Sequence, residues 1–168
     1  TDEDPGYAQE CRELAESLGL ADKVRFLGFQ KVEDLMPKIG LVVLSSISEA
    51  LPLVILEGYA AGVPALATDV GSCRQLVYGL DPDDQALGAS GRIVGIANPQ
   101  DLAEAALDLL EPDNWHAAQR AGLARVEKYY SDTMMFERYR EVYVRALHTP
   151  PQQGLAAPLR CPFHKDAR

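Results

Sequence analysis

The sequence is short of cysteine, of positive charge and of long apolar runs, and each shortage excludes a class of protein. Its three cysteines, Cys11, Cys73 and Cys161, have neither metal-ligand nor redox spacing, which indicates reduced thiols in a cytoplasmic protein. The 16 Lys and Arg residues are outnumbered by 25 Asp and Glu, so the chain lacks the basic surface that nucleic acid or an anionic membrane attracts. Because Glu57 interrupts the longest apolar stretch, we expect no membrane span.

The 168 residues, 47% of them hydrophobic, suffice for one globular domain in which strands and helices alternate. Strand-like apolar runs occupy residues 24–27, 41–44, 65–68 and 92–94. Helical patterns occupy residues 5–18, 32–38, 52–61, 72–77, 102–110, 115–129 and 135–146. This alternation predicts an α/β fold of the Rossmann-like kind, a doubly wound parallel sheet with helices on both faces. The uninterrupted apolar run 41–44 predicts a strand covered on both faces.

The end of the domain is marked near residue 148, where periodicity stops and four prolines follow. We therefore expect one domain over residues 1–148, and a tail over residues 149–168 that is disordered or foreign to the domain. A complete doubly wound domain usually has five or six strands, whereas this chain opens on a helix and offers four. We therefore expect a fragment that lacks the first strands of its sheet.

Two glutamates, Glu49 and Glu57, bracket the start of the helix predicted over residues 52–61. They follow a strand whose carboxyl end, at Ser45, opens on the crevice where α/β sheets bind ligands. A carboxylate can accept from two neighbouring hydroxyls, so the pair suits a ligand with two sugar rings, with Glu57 buried against the sheet edge. On spacing alone a plainer interpretation is favoured, in which Glu49 faces the helix dipole and Glu57 is a half-exposed helix residue.

The start of the same helix should present unpaired backbone N–H groups, which suit phosphate or an oxygen-rich ligand. Pro52 has no N–H, so the donors would come from Leu51, Leu53 and Val54. The sequence thus predicts a site for an oxygen-rich ligand where the strand ends and the helix begins.

A family resemblance covers the chain from about residue 4 to residue 147. The segment SEALPLVILEGYAAGVPALATDVG, residues 48–71, closely resembles the donor-binding segment of the retaining glycosyltransferases of family 4, which have the two-domain architecture called GT-B. The flanking stretches KVRFLG, GRIV and NPQDLAEA extend it. Within the family, SISE, DVGSCR and RVEKYY are similar to the PelF-like enzymes of bacterial exopolysaccharide synthesis. The resemblance implies a C-terminal GT-B domain that binds a nucleotide diphosphate sugar, with UDP-glucose the first donor to test.

The resemblance also implies roles for particular residues. Glu49 would lie beside the hydroxyls of the donor sugar, in the catalytic part of the site, and Glu57 would bind the hydroxyls of the ribose. Backbone amides of the loop between them would face the sugar and the diphosphate, and the base would pack on the turn after residues 24–27. The amides belong to Ala50, Leu51 and Leu53, and the base region comprises Gly28, Phe29, Gln30 and Val32.

The chain departs from the family in two ways. No Arg-x-x-x-x-Lys precedes Asp4, so the cations that neutralise the departing diphosphate are missing, and so is the N-terminal domain that binds the carbohydrate acceptor. Because charge develops on that leaving group, we expect the chain alone to be an inactive part of a hexosyltransferase. Transfer should need neither metal nor cofactor. An alternative is a non-catalytic scaffold subunit that binds nucleotide sugars, and an epimerase of GT-B architecture is a weaker one.

Three further features have structural interpretations. Asp69 or Ser72 should accept a backbone N–H at the start of the next helix, although both also point towards the crevice. Cys73 should be a packed thiol rather than a nucleophile, since no histidine lies near it in sequence. The aromatic stripe that includes Tyr139 and Tyr143 suggests packing against another domain, so part of it should be exposed here.

Overall fold

A computed structural model describes residues 5–148, which fall into two compact units, residues 5–130 and 131–148. The strands are β1 (Val42–Leu44), β2 (Ala65–Thr68) and β3 (Gly91–Val94). The helices are α1 (Pro5–Ser17), α2 (Val32–Leu35), α3 (Leu53–Ala60), α4 (Cys73–Tyr78), α5 (Pro82–Gln85), α6 (Pro99–Leu110), α7 (Pro112–Tyr129) and α8 (Asp132–His148), and a 3-10 turn spans Met36–Lys38. Within residues 5–148 no helix is both long and apolar enough to cross a bilayer. The predicted tail lies outside the described residues.

The three strands form a parallel sheet in the order β1-β2-β3, which confirms the predicted α/β architecture. Val42 pairs with Ala65, and Ala65 pairs with Gly91, so each strand lies beside the next one in the chain. The parallel connections run through α3 and through α4 and α5, as parallel neighbours require. All three carboxyl ends therefore meet at one edge of the sheet.

The predicted strand over residues 24–27 is wrong. Its backbone belongs to no strand among the described residues, and Phe26 and Leu27 are exposed. The N–H of Val24 instead donates to the carbonyl of Leu20 in the turn that follows α1. A β-branched and aromatic run forms a strand only where a neighbouring strand accepts its hydrogen bonds, and β1 does not pair with it.

The core lies on both faces of the sheet, as predicted for a doubly wound fold. Ala65 and Ala67 face one cluster, while Leu66, between them, faces the other. The first cluster contains Met36, Val42, Ile55, Tyr59, Val63, Cys73 and Leu76. The second contains Val94, Leu109 and Ala118. All of β2 is buried, which explains its small and apolar residues.

One face of the first strand is only partly covered, although its uninterrupted apolar run predicts cover on both faces. Val42 is buried, but Val43 is 48% exposed. β1 is an edge strand of the described sheet, and although Leu41, on the same side as Val43, packs against the second cluster, Val43 lies at the margin of that packing. Apolar sequence alone does not distinguish such an edge from a central strand.

A buried ion pair closes the loop between β2 and β3. Arg125 of α7 is fully buried and contacts Asp84 of α5 at 2.6 Å between Nε and Oδ1. Its other four N–H groups donate to the carbonyls of Val77, Asp84 and Gly88 and to the hydroxyl of Ser90, at 2.8–3.0 Å. Every donor of the guanidinium is therefore satisfied, which is the condition under which a buried charge is tolerated.

The second unit consists of residues 131–148, most of which form α8. The rings of Tyr139 and Tyr143 stack with centroids 6.5 Å apart, and both side chains are exposed. No residue of α8 is buried. The exposure expected for the aromatic stripe is therefore observed, and packing against another domain remains a prediction.

Candidate functional site

A cleft of about 580 Å³ lies between the segment before α2 and the outer side of α3. Its lining brings together most of the predicted base region and the predicted ribose ligand. The lining residues are Phe29, Gln30, Lys31, Val32, Glu33, Met36, Pro37, Glu57, Ala60 and Ala61. Gly28 does not line the cleft, but its φ of +63° turns the chain just before Phe29. Three of the four predicted base-region residues, Phe29, Gln30 and Val32, thus share one cavity with Glu57.

The Glu57 carboxylate is exposed, which corrects the expectation that it would be buried against the sheet edge. The reason is helical phase, because Ile55, Gly58 and Tyr59 form the buried face of α3 and Glu57 lies outside it. No residue in the described range donates a hydrogen bond to this carboxylate or pairs with it. Both oxygens therefore remain available to a ligand in the cleft.

The start of α3 is open to solvent and rich in unpaired donors. Pro52 is the residue before the helix, and it supplies neither an N–H nor a side-chain cap. Within residues 5–148, no acceptor is bonded to the backbone N–H of Leu51, Leu53 or Val54, and no acidic residue lies in the first turn. Ala50, Leu51 and Leu53 are exposed. The positive end of this helix can therefore receive an anion.

Glu49 lies in the loop that leads into α3, and it is half-buried. Its Oε1 accepts a hydrogen bond of 2.7 Å from the Ser46 hydroxyl. Glu49 does not line the cleft that contains Glu57. A separate cavity of about 610 Å³ is lined by the same loop at residues 45–48 and by Tyr7. Glu49 thus precedes the start of α3 in the chain, Glu57 follows it, and the cleft that Glu57 lines does not include Glu49.

Neither Asp69 nor Ser72 caps α4, contrary to the structural expectation for both. Asp69 forms an ion pair with Arg74, and the guanidinium holds the pKa of Asp69 below its ordinary value. Ser72 precedes the helix, but its hydroxyl donates to the Ala50 carbonyl at 2.7 Å. Both side chains are engaged with partners that sequence spacing alone does not reveal.

Cys73 packs as predicted. Its side chain is fully buried in the cluster on the α3 face of the sheet. Burial raises the pKa of the thiol, and the nearby carboxylates of Glu49 and Asp69 raise it further. The thiolate needed for nucleophilic chemistry is therefore disfavoured. In the described part of the chain, no three His, Cys, Asp or Glu side chains group as metal ligands.

The sequence analysis did not identify two features of the structure, the close packing of Gly71 and the Arg125–Asp84 ion pair. Gly71 has a φ of +51°, and a Cβ there would collide with the Glu49 carbonyl and lie 2.8 Å from that of Ala50. A glycine in the turn between a strand and the next helix was a signal for such a close approach. The Arg125–Asp84 pair gave no signal, because the two residues lie 41 positions apart in the chain.

Comparisons with family models and with curated proteins indicate the same protein family. The family model described as Glycosyl transferases group 1 matches residues 4–123. The chain is 33% identical over 147 residues to a D-inositol 3-phosphate glycosyltransferase of Corynebacterium urealyticum, covering 86% of this chain and 32% of that protein. It is 28% identical to the N-acetyl-alpha-D-glucosaminyl L-malate synthase of Bacillus anthracis, covering 80% of this chain and 34% of that protein.

Solved structures share the fold. A glycosyltransferase of Rickettsia africae matches with a TM-score of 0.75 at 22% identity, over 88% of this chain and 38% of that one. The HepE protein of Anabaena, solved with UDP and glucose, matches with a TM-score of 0.73 at 22% identity, over 86% and 38% of the two chains.

The chain spans about a third of the length of the curated relatives that it matches. The family model nevertheless covers the whole sheet, the candidate cleft and both glutamates. The chain therefore belongs to the group 1 glycosyl transferases.

Proposed function

We propose that the chain is the donor-binding portion of a retaining, PelF-like glycosyltransferase of bacterial exopolysaccharide synthesis. The full protein would act in the cytoplasm and would transfer a hexose from a nucleotide diphosphate sugar, UDP-glucose in the first instance, to a carbohydrate acceptor. The observation that carries this proposal is the cleft that Glu57 shares with residues 29–32, on the helix whose first residues have unpaired backbone amides.

Each part of a nucleotide sugar has a chemically matched position around α3. The apolar surfaces of Phe29 and Val32 suit a base, and the unpaired carboxylate of Glu57 suits the two hydroxyls of a ribose. The free amides of Leu53 and Val54, at the positive end of the helix, suit the diphosphate. Glu49, in the loop that precedes the helix, would then reach the hydroxyls of the transferred sugar.

We expect the 168-residue chain by itself to transfer no sugar. The amides of α3 are neutral dipoles, and departure of a nucleoside diphosphate requires positioned cations and a bound acceptor. Sugar transfer by the chain alone would contradict this expectation. Transfer by the full-length protein would distinguish an enzyme from a non-catalytic subunit that only binds the nucleotide sugar.

Calorimetric titration of UDP and of UDP-glucose into the chain tests the proposal. Glu57→Ala should weaken the binding of both ligands about 10- to 100-fold, because it removes the charged acceptor to which the hydroxyls of their shared ribose donate. Glu49→Ala should weaken UDP-glucose and leave UDP unchanged. Glu127→Ala, an exposed glutamate of α7, is the matched control and should change neither affinity. Equal losses for both ligands in both site variants would contradict the assigned roles.

A further inference from the structure

The loop that carries Glu49 is held by the end of β2 and the turn after it, residues 68–72. Thr68, at the end of β2, is 2% exposed. Its hydroxyl lies 2.5 Å from the carbonyl oxygen of Ser46 and 3.4 Å from that of Leu44. The strand end therefore fixes the backbone of the loop at the residue whose side chain contacts Glu49.

The Ser46 side chain continues this chain of contacts to the carboxylate. Its hydroxyl donates to Oε1 of Glu49 at 2.7 Å, and a hydrogen bond to a charged acceptor is among the stronger ones in a protein. One carboxylate oxygen is thus occupied by the protein, and Oε2 has no partner among the described residues. The carboxylate is held in one orientation with one oxygen available.

A second set of contacts fixes the far end of the same loop. The backbone N–H and the hydroxyl of Ser72 both donate to the Ala50 carbonyl, at 3.0 and 2.7 Å. Gly71 packs against the peptide between Glu49 and Ala50 so closely that no side chain fits there. Glu49 therefore lies between two anchored points, one at Ser46 and one at Ala50.

We propose that Ser46 and Thr68 are positioning residues that orient Glu49 towards the sugar moiety of the donor. The inference rests on the proposed function and adds to it the residues that control recognition of the sugar as distinct from the nucleotide. Thr68 fixes the Ser46 backbone, Ser46 fixes one oxygen of Glu49, and the other oxygen accepts from a sugar hydroxyl. Neither positioning residue lines the cleft that would hold the base and the ribose.

The test compares the affinities of the chain for UDP and for UDP-glucose. Ser46→Ala and Thr68→Val should each weaken UDP-glucose about 10-fold while UDP affinity changes less than about 2-fold. Thr68→Ser keeps the hydroxyl and should restore the wild-type ratio. In a Glu49→Ala background, Ser46→Ala should have no further effect, because the group that it positions is gone. An unchanged ratio in both single variants, or an additive loss in the double variant, overturns the inference.

Hydrogen exchange provides a readout that needs no ligand. Thr68→Val should accelerate exchange of the amides in residues 46–51 while the amides of β2 and β3 exchange as in wild type, and Thr68→Ser should not accelerate it. Unchanged exchange in the loop overturns the inference whether or not a nucleotide binds. If the wild-type chain binds neither UDP nor UDP-glucose, the proposed function fails, and the inference that rests on it fails as well.

Discussion

Arg125 is a buried charged residue that joins α7 to the loop between β2 and β3. Its guanidinium is fully buried, and its five donors hold Asp84, Val77, Gly88 and Ser90 together. A buried charge of this kind adds little net stability compared with an apolar residue of equal size. Removing one partner is costly, because the other charge remains buried without compensation.

Arg125→Met should therefore lower the free energy of unfolding by about 3–5 kcal/mol, since it leaves the Asp84 carboxylate buried and unpaired. Urea denaturation monitored by circular dichroism measures the change. Arg120→Met, at an exposed position of the same helix, is the matched control and should alter stability by no more than about 0.5 kcal/mol. Similar losses in the two variants would show that the network is not the cause.

The Cys73 thiol predicts how stability depends on alkaline pH. Burial raises its pKa in the folded chain, whereas the unfolded chain releases the proton near the ordinary value of about 8.5. Above that value the unfolded state binds fewer protons, so the free energy of unfolding falls as pH rises towards the folded pKa. Urea midpoints measured between about pH 7 and pH 10 should fall more steeply for wild type than for Cys73→Ala. If the urea midpoints of wild type and Cys73→Ala fell equally with pH, the Cys73 thiol would not contribute to the pH dependence of stability.

At the residue scale, the sequence predicted positions that lie together around the cleft, whereas burial and contacts depend on tertiary packing. The roles of these residues in binding a ligand stay predictions. Glu57 was identified together with the turn at residues 29–32, and the cleft contains both. Its burial was wrong, because the phase of α3 is set by which of its residues meets the sheet. The contact of Ser72 with Ala50 depends on tertiary approach, for which local spacing carries no signal, whereas Asp69 pairs with Arg74 at the start of α4 instead of capping the helix.

At the scale of elements, α3 and α7 cross where a glycine faces an aromatic ring. A Cβ at Gly122 would lie 2.9 Å from Cδ1 of Tyr59, and the ring is almost completely buried. The absence of a side chain at this point allows α7 to approach α3 closely. That approach also brings Arg125, one helical turn further along α7, to the loop that it closes.

Gly122→Ala should destabilise the chain by about 1–3 kcal/mol, because the added methyl group overpacks the crossing. The higher helix propensity of alanine offsets at most about 1 kcal/mol of this loss. Thermal denaturation measures the net effect. In a Tyr59→Leu background the same substitution should cost less, since the smaller side chain gives room to the methyl group. A stabilised Gly122→Ala variant would show that the helices can move apart without loss.

The elements themselves followed largely from the sequence, with one informative exception. Helices were predicted from periodicity, and β2 and β3 from short apolar runs between them. The run over residues 24–27 has the same composition as a strand, but it forms none in the described structure because no strand accepts its hydrogen bonds. A segment forms a strand only when another strand pairs with it, and the sequence of one segment does not show whether such a partner exists.

At the scale of the whole molecule, the buried side chains are confined to the first unit. Among the described residues, every buried side chain lies between Met36 and Arg125. A chain that ends at Tyr130 should therefore unfold cooperatively. Its free energy of unfolding should lie within about 1 kcal/mol of that of the 168-residue chain. Urea denaturation of the two chains makes the comparison. A non-cooperative transition in the shorter chain would show that residues after 130 are needed for the fold.

The strand order β1-β2-β3 has a consequence for how the chain folds as it is synthesised. Val42 pairs with Ala65 and Ala65 with Gly91, so each pairing closes only a short stretch of chain and can form soon after the strand leaves the ribosome. Arg125, the cation that pairs with Asp84, is translated 41 residues after it, because it lies near the end of α7. A nascent chain should therefore hold an assembled sheet with an open loop over residues 79–90. Once α7 has been translated, Arg125 can pair with Asp84 and close that loop. The loop is therefore the last part of the unit to reach its folded conformation.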